Sequence, residues 1–234
     1  MAIVCKKWKL LFVMVGGTGC SSVGEALLSH LNGQYLPEEN VFDGSKMVFG
    51  RKHNSVPQLL ERGYLKQEEL KDLTVFATVR NPFDHVASDY ARAATDWSGR
   101  FLRDKNGNPI ERSEDEILAE KTRAEAVREG GFEKWVLRRY SLKARLKSQI
   151  RILLGRSKSV DMYGYVQKYV RFEELEDGLN RLLNEVGYAG WVHLDNVNPT
   201  SGRKPYREYY TPRSRKIIER YHRKELDQFG YQFD

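Results

Sequence analysis

The sequence predicts an α/β fold with a central, mostly parallel sheet flanked by helices. Two apolar runs, residues 9–15 and 73–80, are typical of buried strands, and each is followed by a turn and by apolar residues at helical spacing. Residues 165–171 form a third run of this kind. Because repeated strand–turn–helix units build parallel sheets covered by helices, these observations predict the fold class.

Length and composition are those of a globular chain. It has 234 residues, of which 40% are hydrophobic, so we expect one domain spanning residues 1–234. The two cysteines, Cys5 and Cys20, lie outside metal-ligand spacings and favour a reducing, cytoplasmic compartment. The one candidate membrane segment, Leu10–Val15, is far shorter than the ~20 residues of a spanning helix. The net charge of +7 favours an anionic ligand, acceptor or surface.

Two interpretations of the first strand compete. In KKWKLLFVMVGGTGCSSVGEALL, Lys6–Leu28, the lysines, the apolar run and Cys20 resemble a bacterial secretion signal whose cysteine becomes the lipid-anchored first residue. The same letters also predict a strand, a turn over Gly16–Gly19 and a helix capped by Ser21 or Ser22. We favour the second interpretation, because the apolar run is short and no large aliphatic residue stands three positions before the cysteine.

The glycine-rich turn has the composition of an anion-binding loop. Glycines let the backbone approach an anion, and the helix that follows adds N–H groups and serine hydroxyls. The loop lacks the lysine of a Walker A motif, which disfavours an ordinary kinase. The dinucleotide fingerprint also fails, because Gly17 and Gly19 fit it but Ser22 replaces its third glycine. A structural turn with no ligand is the alternative.

The second strand ends in a charged residue. Arg80 follows the apolar run, and Pro82 then suits the first turn of a helix that carries Ser88. A guanidinium at the end of a buried strand is costly unless an anion meets it, so Arg80 is a candidate anion ligand. The alternative is an ion pair between Arg80 and a nearby carboxylate, Asp84 or Asp89.

The middle of the chain is less regular. Residues 47–49 predict a short strand, and Pro57–Gly63 predict a short helix closed by glycine. Residues 95–160 form a charged, mainly helical insertion with a turn at DKNGNP. We expect this insertion to lie on the acceptor side, because loops on a fixed scaffold carry specificity.

Within the insertion, Arg138–Lys158 contains eight Lys or Arg and no acidic residue. Leu142, Leu146 and Ile150 share one helical face there. This pattern suits a polyanionic glycan, peripheral contact of residues 138–158 with a membrane, or packing against the core. We favour packing.

The last helix has clear boundary signals. Thr211 is the predicted cap, Pro212 the first helical residue and Gly230 the stop. Ile218 and Tyr221 are among its predicted inward residues.

Together these segments resemble the sulfotransferases that use 3′-phosphoadenosine 5′-phosphosulfate (PAPS). The matching motifs are GGTGCSSV, the strand end Arg80-Asn81-Pro82 with Ser88, VRFEEL, and the closing segment from NPTSGRKPY to FGYQF. They cover about residues 9–94 and 165–233. The resemblance implies a P-loop-like three-layer fold, PAPS as co-substrate, 3′-phosphoadenosine 5′-phosphate (PAP) as product, and no metal.

The resemblance also assigns residues. The loop that would hold the 5′-phosphosulfate consists of Gly17, Thr18, Gly19, Cys20, Ser21, Ser22 and Val23. Arg80 and Ser88 would hold the 3′-phosphate, and a basic loop with Arg203 and Lys204 would close over it. One departure is Thr18, which stands where the family carries Lys or Arg; Lys52 or Lys204 is the candidate replacement for that charge.

Catalysis would need a base for the acceptor hydroxyl. His53 follows the short strand at 47–49 and is our candidate base, with Lys52 as charge stabiliser; an exposed loop histidine is the alternative. The expected reaction is in-line sulfuryl transfer from PAPS to a hydroxyl of a carbohydrate or other small molecule, with no nucleic acid partner beyond the nucleotide donor. A nucleotide-dependent phosphotransferase and a non-catalytic basic anion-binding protein are the competing functions.

Overall fold

The computed structural model describes residues 2–44, 46–50, 53–95, 102–103, 109–110, 113–153, 161–195 and 203–234. The chain forms two compact units, which are described separately. The first contains Met1–Arg80 and Ser159–Pro199, and the second contains Asn81–Lys158 and Thr200–Asp234. The single domain 1–234 expected from the sequence stays a prediction.

Strands dominate the first third of the chain. Its elements are β1 (Ala2–Cys5), β2 (Leu10–Val13), α1 (Cys20–His30), β3 (Gln34–Leu36), β4 (Val41–Asp43), β5 (Lys46–Phe49), α2 (Val56–Glu61), α3 (Gln67–Lys71) and β6 (Thr74–Val79). Helices dominate the rest. They and the remaining strands are α4 (Pro82–Ala93), β7 (Leu102–Arg103), β8 (Pro109–Ile110), α5 (Glu114–Tyr140), α6 (Leu142–Leu153), β9 (Lys168–Arg171), α7 (Leu175–Glu185), α8 (Pro212–Tyr221) and α9 (Arg223–Phe229).

The first unit is built on a five-stranded sheet with the order β3-β1-β2-β6-β9. The strands β2, β6 and β9 pair in parallel, whereas β1 runs antiparallel to both of its neighbours. Four of the five strands therefore point the same way, and the predicted α/β class with a mostly parallel sheet is confirmed. The third predicted strand is shorter than expected and begins at Lys168.

Both faces of this sheet are covered. In β2, Leu10 and Phe12 belong to a core shared with α1 and α7, whereas Leu11 and Val13 belong to a core shared with α2. Alternate side chains of a strand point to opposite faces, so a strand buried on both sides needs an unbroken apolar run. This requirement explains why residues 10–13 are apolar at every position.

One local prediction in this unit is corrected and one is confirmed. Helix α1 begins at Cys20 after Gly19, so neither Ser21 nor Ser22 is its cap. The strand predicted at 47–49 is present as β5, and it pairs with β4 in a two-stranded sheet.

The second unit is mainly helical, as predicted for residues 95–160. Its core is an aromatic cluster in which Phe132 packs against Tyr90 and Tyr210 with ring centroids 5.3 and 4.7 Å apart. The Tyr210 hydroxyl donates to the Phe83 carbonyl at 2.9 Å, and burial raises the pKa of Tyr210. Tyr210 is thus part of the packing.

The predicted last helix is present but divided. Thr211 caps α8, Pro212 begins it, and Gly230 ends α9 in a left-handed conformation. The two helices meet at His222. Tyr221 was predicted to face inward, and this was wrong, since 42% of it is exposed. Across the described ranges, no helix has the length and apolar character needed to cross a membrane.

Candidate functional site

The loop between β2 and α1 lies at the carboxyl end of the parallel strands. Gly17 and Gly19 both have φ of 78°, a conformation that glycine adopts without strain. A side chain at Gly19 would also collide with the protein, because its Cβ would lie 2.6 Å from Cδ2 of Leu175 and 3.1 Å from Cδ2 of Phe172. Backbone angle and space both require glycine at position 19.

The start of α1 presents backbone N–H groups. The first ladder bond of the helix runs from the Val23 amide to the Gly19 carbonyl at 3.3 Å. The amides of Cys20, Ser21 and Ser22 precede this ladder, as the first N–H groups of any helix do. With the positive end of the helix dipole, such amides favour an anion. Geometry of this kind fits the predicted role of the loop.

Arg80 joins the glycine loop directly. It follows β6, is 8% exposed, and its Nη1 donates to the Gly17 carbonyl at 2.8 Å. Its guanidinium also lies over the Phe172 ring, 4.0 Å from the centroid. The carbonyl and the ring both attract a cation and hold the planar group in one orientation. The two predicted anion-binding segments therefore meet in the first unit.

Thr18 is buried in the loop, at 2% exposure. Its hydroxyl donates to the Val15 carbonyl at 2.7 Å and lies 2.5 Å from the Thr78 hydroxyl. Because the Thr18 proton goes to Val15, the Thr78 hydroxyl is the donor of the second bond. The Thr18 side chain thus shapes the loop from inside, and its backbone amide is the group that it can offer to a ligand.

His53 lies against the same loop. Its Nδ1 is 3.1 Å from the Met14 carbonyl, and a Cβ built on Gly16 would lie 3.4 Å from its Cε1. A carbonyl only accepts, so Nδ1 carries the proton and the lone pair of the neutral ring is on Nε2. The side chain is exposed and has φ of 62°. The sequence placed His53 at this edge of the sheet, and it is there.

The other predicted site residues are not part of the described portion of the first unit. Lys52 lies outside the described residues. Ser88 is buried in α4 of the second unit, at 2% exposure. In that unit Arg203 forms an ion pair with Asp84 at 2.7 Å and also donates to the Asp84 carbonyl at 3.1 Å, while Lys204 is exposed. Arg203 therefore has a structural partner within its own unit.

Two residues of the site were missed from the sequence. Thr78 forms a hydrogen bond with the Thr18 hydroxyl, and the Phe172 ring packs against the Arg80 guanidinium. Parallel pairing of Val79 with Arg171 places Phe172 one residue beyond the strand end, level with Arg80. The motif VRFEEL was recognised, so pairing β9 beside β6 would have located Phe172.

The site contains groups that suit an anion and a side chain that can accept a proton. Glycine backbone, helix amides and a guanidinium can bind phosphate or sulfate oxygens. The Nε2 atom of His53 can accept a proton beside them. In the part of the chain that the structure describes, no three His, Cys, Asp or Glu residues cluster as metal ligands would.

Comparison with known protein families, with curated proteins and with solved structures finds no significant match.

Proposed function

We propose that the protein is a PAPS-dependent sulfotransferase that acts on a hydroxyl of a carbohydrate or other small molecule. The observation that supports this most is the 2.8 Å hydrogen bond from Arg80 to the Gly17 carbonyl. It brings the arginine at the end of β6 to the glycine loop after β2, and these are the two segments on which the sulfotransferase resemblance rests. Open α/β sheets bind ligands at this edge.

In the proposed reaction the glycine loop and the first amides of α1 bind the phosphosulfate. The acceptor hydroxyl gives its proton to Nε2 of His53, and its oxygen attacks the sulfur. The bond from sulfur to the bridging oxygen breaks, and PAP leaves with the electron pair. Charge on the transferred group is stabilised by positioned N–H donors, as in phosphoryl transfer. The roles of Lys52, Ser88, Arg203 and Lys204 rest on the resemblance alone.

The direct test is ligand-induced stabilisation followed by transfer. PAP should raise the melting temperature of the full chain, since a ligand at a hundred times its Kd stabilises a protein by about 2.7 kcal/mol. ATP with magnesium should have little effect. Labelled PAPS should then transfer its sulfuryl group to a hydroxyl compound in an acceptor screen.

Arg80→Ala should remove the PAP effect, whereas Arg181→Ala should keep it. Arg181 is a matched control, because it is an exposed arginine of the same unit that pairs with Glu174. Stabilisation by ATP–magnesium and not by PAP would favour a phosphotransferase. Binding of PAP without any transfer from PAPS would favour a non-catalytic anion-binding protein.

A further inference from the structure

An apolar face of α6 is exposed to solvent. Leu142, Leu146 and Ile150 are 76%, 58% and 46% exposed. They lie at i, i+4 and i+8, so they form one stripe along the helix, ~12 Å long. The sequence favoured packing of this face against the core, and that prediction was wrong. Lys143 and Lys147 follow the stripe along one side.

The stripe begins at a residue that lines a cavity of about 420 Å³. The end of α5, the start of α6 and one side of α8 line this cavity, and Leu142 belongs to both the cavity and the stripe. Leu137 and Ile217 give it apolar walls. Burial, with a contribution from Asp89, raises the pKa of Tyr140 in the wall to about 12, so this phenol stays neutral.

The rim of the cavity is positively charged. Of the described residues that line it, five are basic and none is acidic. The basic ones are Lys143, Arg145, Arg213, Lys216 and Arg220. Arg213 forms an ion pair with Glu133 at 3.6 Å. Among the described residues, no ion pair is recorded for the other four, so they add positive charge to a cavity with apolar walls.

We propose that this surface docks onto a membrane that contains anionic phospholipids. The stripe of Leu142, Leu146 and Ile150 enters the boundary between headgroups and acyl chains, and the basic rim binds headgroup phosphates. An amphipathic helix with aliphatic residues beside lysines is the form that interfacial helices take. Each Lys or Arg near an anionic surface strengthens partitioning about fivefold. This inference does not depend on the proposed sulfotransferase activity.

The charge of the surface argues against two other occupants. A second copy of this chain would bring the same basic rim to the contact, and like charges repel. A nucleic acid duplex would satisfy the charge, but its outer surface is phosphate and sugar and would bury little of the aliphatic stripe. A bilayer with anionic headgroups satisfies both the charge and the stripe.

The test is sedimentation of the full chain with vesicles. Vesicles of phosphatidylcholine with a quarter phosphatidylserine should carry the protein down, and vesicles of phosphatidylcholine alone should not. The variant Leu146→Glu/Ile150→Glu should weaken this binding at least tenfold, since two apolar insertions are lost. The variant Lys143→Gln/Lys216→Gln/Arg220→Gln should weaken it about a hundredfold. All five positions are exposed, so folding should be kept, and circular dichroism checks it.

Matched controls lie on α5 of the same unit. Leu118 is 62% exposed, and Lys121 and Arg123 are exposed basic residues. Leu118→Glu and Lys121→Gln/Arg123→Gln should bind vesicles like the unaltered protein. The proposal is overturned if the protein binds neutral vesicles as well as anionic ones. It is also overturned if the control variants lose as much vesicle binding as the α6 and basic-residue variants. Self-association would replace the proposal if the unaltered protein does not bind vesicles but forms concentration-dependent dimers, and if the α6 variant abolishes those dimers.

Discussion

At the scale of single residues, the hydroxyl of Thr18 links the glycine loop to the neighbouring strand through hydrogen bonds. A hydrogen-bonded chain runs from Thr78 through Thr18 to the Val15 carbonyl. A lysine or arginine at position 18 could not occupy this buried place without breaking these hydrogen bonds. Arg80 donates to the carbonyl of Gly17, the residue before Thr18, and so brings a cation to the loop.

Removing the Thr78 hydroxyl should loosen this loop. Thr78→Val keeps the shape of the side chain but leaves the buried Thr18 oxygen without its donor, which should lower the free energy of unfolding by about 1–3 kcal/mol. Thr74→Val, on the same strand and only partly buried, is the control and should change it by less than ~0.5 kcal/mol. Urea denaturation measures both. Equal effects in the two variants would mean that the Thr78 bond adds nothing.

His53 should affect turnover and not donor binding. His53→Asn suits the left-handed backbone, and its amide can still donate to the Met14 carbonyl, but it cannot accept the acceptor's proton. We expect sulfuryl transfer to fall by ~10²–10⁴-fold, with stabilisation by PAP retained.

His30→Asn, at an exposed position of α1, is the control and should leave turnover unchanged. Near-normal turnover of His53→Asn would remove this histidine from the role of base and leave it as a loop residue.

At the scale of elements, the strands β2 and β6 could be predicted because both of their faces are buried, and this burial requires an unbroken apolar run. The strand β1 was not predicted, although all four of its residues are buried. It turns into β2 through a 3-10 turn, Lys6–Trp8, and Lys9 takes φ of 52°. This hairpin has no glycine, asparagine or proline, so the usual turn signals are missing.

The exposed face of α6 was mispredicted for another reason. The spacing of Leu142, Leu146 and Ile150 indicates that these side chains share a face, but periodicity does not say what covers that face. The pairing of β4 with β5 carried a local signal that was missed, because Asp43-Gly44 stands at the end of β4 and Asp-Gly is typical of hairpin turns. Local sequence patterns predict the helices and strands, but they do not predict which elements pack against one another.

The long helix α5 contains a break that only glycine permits. Gly131 has φ of 70° and ψ of 171° inside Glu114–Tyr140, whereas its neighbour Gly130 is helical. Gly131→Ala should therefore lower the free energy of unfolding by about 1–3 kcal/mol.

Gly130→Ala is the matched control. Its Cβ would meet only the flexible end of Lys134, at 3.3 Å from Cδ, so it should raise the free energy of unfolding by up to ~1 kcal/mol. Thermal or urea denaturation should therefore show that Gly131→Ala lowers the free energy of unfolding and that Gly130→Ala raises it. A stabilising Gly131→Ala would contradict the break.

At the scale of the whole molecule, the excess of positive charge has a local basis. The net charge is +7, and the stretch Arg138–Lys158 contributes eight basic residues without an acid. The net charge predicted an anionic partner, but it could not indicate whether that partner is a small ligand or an extended surface. The first unit has a guanidinium held against the glycine loop, and the second unit has basic residues lining a cavity with apolar walls.

Buried weak acids in both units give the molecule a defined response to alkali. Burial raises the pKa of the Cys5 thiol from 9.0 to about 12, and that of Tyr140 from 10.0 to about 12. In the unfolded chain both groups lose their protons at the lower values. The stability that they contribute is therefore complete below pH 9, and it is lost as the pH rises towards 12, because the unfolded state is then favoured by ionisation.

Urea denaturation midpoints should accordingly fall across this window. Each group contributes a slope of up to about 1.4 kcal/mol per pH unit while it ionises only in the unfolded chain. The overall positive charge declines over the same range, and this lessens repulsion in the folded state, so the test must compare slopes and not single midpoints. Cys5→Ala and Tyr140→Phe should each flatten the pH dependence, the first from pH 9 and the second from pH 10. Slopes identical to that of the unaltered protein would show that neither group keeps its proton through folding, and would place the alkaline response in other residues.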